Sequence, residues 1–249
     1  MPVTGIVTKS LQKDNFMTDT ISSPNPTLDW RDQLTWPLHR TVQARGIEFL
    51  IRAILPAFVA LESTGFEHIP ATGPCILAPN HIGNADPLVI GVGIPHRQLF
   101  FMAKKELYKN PIIAWVIRMY GTFPVERGQR DEWALRHASK VLEAGQLLCL
   151  FPEGTRSKNQ ARLGKGKLGT VKLALEHNVP VIPAAVMGSQ TVKIGLKRTK
   201  VTVQFDRPID VVQLAGPPPY EYQTMRELTT LIMQRIAAML PPENRGIYQ

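Results

Sequence analysis

Two cysteines are all that this 249-residue chain carries, and both, Cys75 and Cys149, sit inside apolar runs ("PCILAP", "LLCLF"). That excludes a disulfide framework, and neither cysteine stands at a metal-ligand spacing. They read as small core residues in a chain suited to a reducing compartment. Long hydrophobic runs are missing too: none reaches the ~18–20 uninterrupted apolar residues of a membrane-spanning helix. The nearest, "GIEFLIRAILPAFVALESTG" (46–65), is interrupted by Glu48, Arg52 and Pro56. A second patch, "NPIIAWVIRMYG" (110–121), contains Trp115, Arg118 and Tyr120. Each reads either as a buried helix or as a helix lying in a membrane interface. There are no internal repeats, no low-complexity segments and no Walker loop, since the G-x-x-x-x-G-K-S/T order is absent. Residues 1–35 are polar, carry Asp14, Asp19 and Asp29, and lack the apolar core of a signal peptide. They are expected to form a loosely ordered tail.

What remains is a globular composition, 44% hydrophobic and 20% charged, long enough for one large domain. The formal net charge is +9. Residues 97–200 hold 19 Lys and Arg against 7 Asp and Glu, a net of +12, so the rest is slightly acidic. Such a region suits an anionic partner or a solvated basic face. Beyond the tail, helix and strand signals alternate. A helix is expected at about 37–60 and a strand at 74–79. A helix at about 85–93, a strand at 97–103, helical segments at about 105–120 and a short strand at 122–125 come next. A helix at 130–145 stops at Gly145, a continuous apolar strand fills 146–151, and a helix covers 166–178. Strands at 179–186 and 200–209 and an amphipathic helix at 220–240 close the chain. The expected architecture is α/β: a mixed, mostly parallel sheet flanked by helices, preceded by an N-terminal helical membrane-contact element. The expected divisions are 1–35, 36–62 and 63–249. In such sheets ligands bind at loops beyond the strand ends. The loops beginning at Asn80 and Pro152 both qualify.

The first of these loops lies in "LAPNHIGNADPLV" (77–89). On one continuous helix, His81 and Asp86 would fall ~140° apart and could not meet. Pro79 discourages helix at the junction, whereas Asn84 suits an N-cap and Pro87 a first helical turn. His81 is then placed on a strand-to-helix loop, with Asp86 at the helix start. There the carboxylate can fold back on one ring nitrogen, fix the tautomer and free the other nitrogen as a base. A surface loop with an unrelated histidine is the plainer alternative.

The second loop lies in "LFPEGTRSKNQARLGKGKLG" (150–169), where Glu153, Gly154, Thr155 and Arg156 form a tight turn. Gly154 lets backbone approach a ligand, and Arg156 offers a planar fork for phosphate or carboxylate. Lys158, Arg162, Lys165 and Lys167 extend the positive field. Taken alone, this stretch reads better as a basic surface turn.

"NHIGNAD" and "FPEGTRS" together resemble two signature blocks of the glycerolipid acyltransferase family. "GTFPVERG" (121–128), preceded by "AKKEL" (103–107), resembles a third, and "VPVIPAAV" (179–186) a fourth. The four stand in the family's order across about residues 60–210. The resemblance implies His81 as general base and Asp86 as its orienting partner. It assigns Arg127, Glu153 and Arg156 to the acceptor site, with the arginines on a phosphate and Lys104 assisting; Gly154 and Thr155 belong to the same block. Only block register favours Lys104 over Lys105. The implied reaction is acyl transfer from acyl carrier protein or acyl-coenzyme A to the sn-2 hydroxyl of a lysophosphatidate, giving phosphatidic acid. No metal, cofactor or enzyme nucleophile is implied. Cys149, inside a strand with no histidine nearby in sequence, is read as core rather than as an acyl carrier. Backbone N–H groups near Gly83 or Gly154 are candidate oxyanion donors.

Two alternatives stay open. One is the same chemistry on glycerol-3-phosphate, a lysophospholipid or a lyso-aminolipid. The other is a non-catalytic basic protein that binds membranes or nucleic acid; the nucleic-acid version lacks a reading motif, so no nucleic acid is expected as partner. The expected location is the cytoplasmic face of a membrane (a bacterial inner membrane or its plastid equivalent). The contacts would come from Phe49–Val59 and Ile112–Ile117, assisted by attraction to anionic lipid. His68, His96, His137 and His177 lack an acidic partner at similar spacing and read as surface or structural residues.

Overall fold

The computed structural model describes residues 29–128, 130–157, 161–193, 195 and 197–249. Residues 1–28 of the expected tail, and Lys158, lie outside them. The chain divides into two compact units, Met1–Thr35 and Trp36–Gln249. In the first, Asp29 caps a 3-10 turn at Trp30–Gln33 and pairs with the Arg31 guanidinium.

The second unit is built on a sheet of strands β1 (Val59–Thr64), β2 (Cys75–Pro79), β3 (Leu99–Lys104), β4 (Thr122–Val125), β5 (Leu147–Cys149), β6 (Val181–Met187) and β7 (Thr199–Phe205). Its helices are α1 (Val42–Ile54), α2 (Asp86–Gly93), α3 (Pro111–Met119), α4 (Glu132–Glu143), α5 (Gly169–His177), α6 (Val211–Ala215) and α7 (Tyr222–Ala238). The spatial order is β1-β7-β6-β2-β5-β3-β4. Neighbours are parallel except β6 and β7, which are antiparallel. The sheet is therefore mixed and mostly parallel. Its five strands β6, β2, β5, β3 and β4 run in one direction, so their C-terminal ends share one edge.

The composition of the strands explains their positions. β2 and β5 are buried at every residue, as central strands covered on both faces must be. One face packs Ile76, Phe100, Phe123, Leu148 and Val181 under α4, α5 and α7. The other packs Leu77, Phe101, Cys149, Ile182 and Val203 under α2, Leu55 and Tyr120. β7 alternates, burying Val201, Val203 and Phe205. Helix starts follow local chemistry: the side chains of Thr41, Asn110 and Asp131 accept from backbone N–H groups of α1, α3 and α4.

Several expected boundaries move. The helix expected over 37–60 is only Val42–Ile54, followed by a 3-10 turn at Leu55–Ala57 and then by β1. Pro56 ends the α-helical ladder there, and "VALEST" pairs with β7 as an edge strand that crosses residue 62. The stretch 105–120 splits into a 3-10 turn and α3, because Asn110, which precedes Pro111, is held extended. The strand expected at 200–209 ends at Phe205, and α6 was not foreseen.

α1 and α3 pack on each other and hold the far end of α2. The Arg52 guanidinium donates to the carbonyls of Val92 (2.6 Å), Ile94 (2.7 Å) and Gly91 (3.2 Å), and Tyr120 Oη donates to Leu88 O (3.2 Å). Glu48, buried on the inner side of α1, pairs with Arg40. Outward, α1 exposes Val42, Phe49, Leu50 and Ile54, and α3 exposes Ile112, Ile113 and Trp115. Phe58 is half-buried and Val59 fully buried against the sheet, so the outward apolar face of α1 ends at Ile54.

Candidate active site

Apart from Asp86, which begins α2, the expected site residues lie at or just beyond the C-terminal ends of the parallel strands. His81 follows β2, and Glu153, Gly154, Thr155 and Arg156 follow β5. Lys104 ends β3, and Arg127 follows β4. β2 and β5 are direct neighbours, which places the two signature loops side by side.

At the centre, His81 Nδ1 lies 2.7 Å from Asp86 Oδ2. His81 is 6% exposed and Asp86 0%. Asp86 is the first residue of α2, where a carboxylate is favoured by the unpaired N–H groups. The same Oδ2 accepts from the backbone N–H of Ile82 (2.7 Å) and Gly83 (2.9 Å), so the carboxylate also shapes the loop that carries the histidine. Oδ1 accepts from Ser189 Oγ at the end of β6. Phe151 stacks on the imidazole, with centroids 4.0 Å apart and planes at 21°. Nδ1 is thus engaged, and Nε2 has no protein partner among the described residues.

Glu153 grips the backbone of this loop. Its Oε1 accepts from His81 N (2.9 Å) and its Oε2 from Gly164 N (2.7 Å). Burial pushes its carboxyl above the ordinary carboxylate range, while the two N–H donors pull in the opposite direction. His81 O in turn accepts from Ser157 N (2.7 Å). The Asn80 side chain bonds both backbone groups of Val186, accepting from N at 2.7 Å and donating to O at 3.0 Å. β2, β5 and β6 are thereby tied together at the edge where the site lies.

Some expectations fail here. Asn84 does not cap α2: the N-cap is Ala85, with no side-chain bond, and Asn84 Oδ1 instead accepts from Arg156 Nη1 at 2.7 Å. That contact joins the two signature loops directly. Of the N–H groups near Gly83 and Gly154, that of Gly83 donates to Asp86 and that of Gly154 to Phe151 O (2.9 Å). Gly154 does take a left-handed conformation, φ 69°, which the tight turn requires. Cys149 is buried and its thiol pushed up by burial, a core residue with no imidazole partner. Lys105 pairs with Glu126, whereas Lys104, exposed at the end of β3, makes no ion pair among the described residues. Arg127 is exposed and makes no ion pair among the described residues. No group of three or more His, Cys, Asp or Glu able to hold a metal occurs among the described residues. Asn80, Phe151 and Ser189 had no functional reading in the sequence; their partners are brought to them by the sheet.

The parallel edge thus presents a carboxylate-oriented histidine with Arg156 bonded to the same loop, and the chain belongs to the acyltransferase family. The family model described as Acyltransferase matches residues 60–187. The chain is similar to the 1-acyl-sn-glycerol-3-phosphate acyltransferase of Bacillus subtilis, at 31% identity over 170 residues, 68% of this chain and 83% of that one. It is similar to the enzyme of the same name from Streptococcus pneumoniae at 34% identity, over 55% of this chain and 50% of that one. Its fold matches the crystal structure of the 1-acyl-sn-glycerophosphate (LPA) acyltransferase from Thermotoga maritima with TM-score 0.58 and 27% identity, covering 78% of this chain and 76% of that one.

Proposed function

We propose that the protein transfers a fatty acyl group from a thioester, acyl carrier protein or acyl-coenzyme A, to the sn-2 hydroxyl of 1-acyl-sn-glycerol-3-phosphate. The products are phosphatidic acid and a free thiol. The observation that carries this is the buried His81–Asp86 pair, with Nε2 unbonded among the described residues and Arg156 anchored on the adjoining loop. A free hydroxyl is a weak nucleophile at neutral pH. Nε2 takes its proton as the oxygen attacks the thioester carbonyl, and Asp86 holds the ring while it is cationic. The tetrahedral intermediate collapses with cleavage of the C–S bond, and the proton on Nε2 passes to the departing sulfur.

Arg156 and Arg127 are the phosphate ligands in this reading, with Lys104 adding charge. Glu153 serves the acceptor site by fixing the loop that carries His81, and Gly154 and Thr155 form the turn that presents Arg156. The acceptor is rooted in a bilayer, and no helix among the described residues is long and apolar enough to cross one. In this reading the protein attaches to the surface of the cytoplasmic leaflet through the exposed apolar faces of α1 and α3, with the basic region drawn to anionic lipid.

The test is thiol release from acyl-coenzyme A with a panel of acceptors. Lysophosphatidate is expected to be used best, ahead of glycerol-3-phosphate and unphosphorylated lysolipids. His81→Ala should lower the rate ~10²–10⁴-fold in a folded protein, and Asp86→Asn should cost less. Activity of His81→Ala within a few-fold of wild type would remove the base assignment.

A further inference from the structure

Asp86 Oδ2 is held by three donors: the His81 ring, Ile82 N and Gly83 N. Among the described residues Oδ1 has a single partner, Ser189 Oγ. Asp86 is fully buried and Ser189 is 2% exposed, so this contact lies away from bulk solvent. A buried carboxylate oxygen without a donor is costly. Relief comes most simply by turning the carboxylate about its own axis, which would break the three bonds on the other oxygen. Ser189 is therefore placed where it stops that rotation.

The way the chain delivers Ser189 is a second, independent observation. β6 lies beside β2, with Pro79 opposite Ala184. The Asn80 amide then clasps Val186, and a 3-10 turn at Ser189–Thr191 follows Gly188. The backbone of this turn presses on Gly83, where an added Cβ would lie 2.8 Å from Ser189 O and 3.0 Å from Gln190 N. The β6–β7 turn and the histidine loop are thus packed as one unit, with the hydroxyl aimed at the carboxylate.

We propose that Ser189 is a positioning residue of the acyl-transfer centre, acting through Asp86 to hold the His81 imidazole in its attacking orientation. The proposal rests on the function argued above. Ser189 is not a nucleophile: its hydroxyl faces a carboxylate and contacts no imidazole.

The experiment is a double-mutant cycle on the whole protein, with kcat and KM measured for donor and acceptor. Ser189→Ala is expected to lower kcat about tenfold, the worth of one charge-assisted hydrogen bond, and to leave both KM values within about twofold. In an Asp86→Asn background the same change is expected to cost less than about twofold more. In wild type, proton NMR should show the low-field Nδ1–H signal of His81, and Ser189→Ala should broaden or move it while the remaining spectrum stays in place. An unchanged kcat, or a full tenfold loss in both backgrounds, would overturn the role of Ser189. Wild-type activity in Asp86→Asn alone would instead overturn the underlying acyl-transfer reading. Asp86→Asn inactive beside a fully active Ser189→Ala removes only Ser189.

Discussion

Glu153 and Asp86 are both buried acids beside one histidine, and they differ in what they hold. Asp86 fixes the ring, whereas Glu153 fixes the backbone beneath it, with one N–H on each oxygen. Glu153→Gln keeps the shape but turns an amide NH₂ toward one of those two N–H groups. It is expected to lose about 1–3 kcal/mol of stability and more than tenfold in kcat; thermal melting and thiol release measure the two effects. His137 stands apart from this chemistry. It stacks on Trp133 at 5.0 Å with planes at 2° and lies 4.6 Å from Phe123. Burial, and then the charge of Lys140, push its pKa from 6.5 to about 4. As pH falls below 6.5, the unfolded chain takes up this proton before the folded one. Stability is lost from there down to about pH 4, where the folded imidazole also charges. Denaturation at pH 7 and pH 5 should show about 2 kcal/mol lost to this residue, and His137→Phe should remove that share. The contact of His81 with Asp86 was open to a local reading, since the two are five residues apart on a strand-to-helix loop, but it took the resemblance of the four blocks to single the pair out. The sequence could not disclose Ser189, which is 103 residues from Asp86 and reaches it only through the pairing of β6 with β2. Asn84 was misread for a related reason: N-cap preference is a local statistic, and Arg156 is a distant, stronger partner.

At the scale of elements, the central strands were legible because a strand buried on both faces has no polar residues to confuse the pattern. β1 was not, since a half-exposed edge strand following a helix continues the apolar signal of that helix. α1 and α3 show what such a signal can conceal. Each buries one stripe, yet Phe49 remains 71% and Ile112 74% exposed. Two adjacent helices with apolar outward faces suit a lipid interface. Co-sedimentation with anionic vesicles across a salt series should leave a bound fraction at high salt, where charge is screened. Changing Phe49, Leu50 and Ile54 to serine should abolish that fraction. Full release of wild type at high salt would reduce the attachment to charge alone. Because Arg52 and Tyr120 tie this pair to the carbonyls of α2, the surface-facing helices are mechanically continuous with the helix that begins at Asp86.

The whole molecule combines a basic region with a sheet whose direction reverses once, between β6 and β7. Alternating helix and strand signals made the α/β class legible, while the strand order and the single reversal depend on long-range pairing that no local pattern encodes. One consequence of that order is divisibility. The loops after β3 and β4 bring Lys104 and Arg127 to the shared edge by their own crossovers, and neither side chain is hydrogen-bonded to the histidine loop among the described residues. Of the phosphate ligands proposed above, Lys104 and Arg127 are therefore built on crossovers separate from the His81–Asp86 loop, whereas Arg156 is bonded to it through Asn84. A graft of residues 104–128 from a relative with another acceptor should carry that preference with it, read on the same acceptor panel, while the bond-making machinery stays as it is.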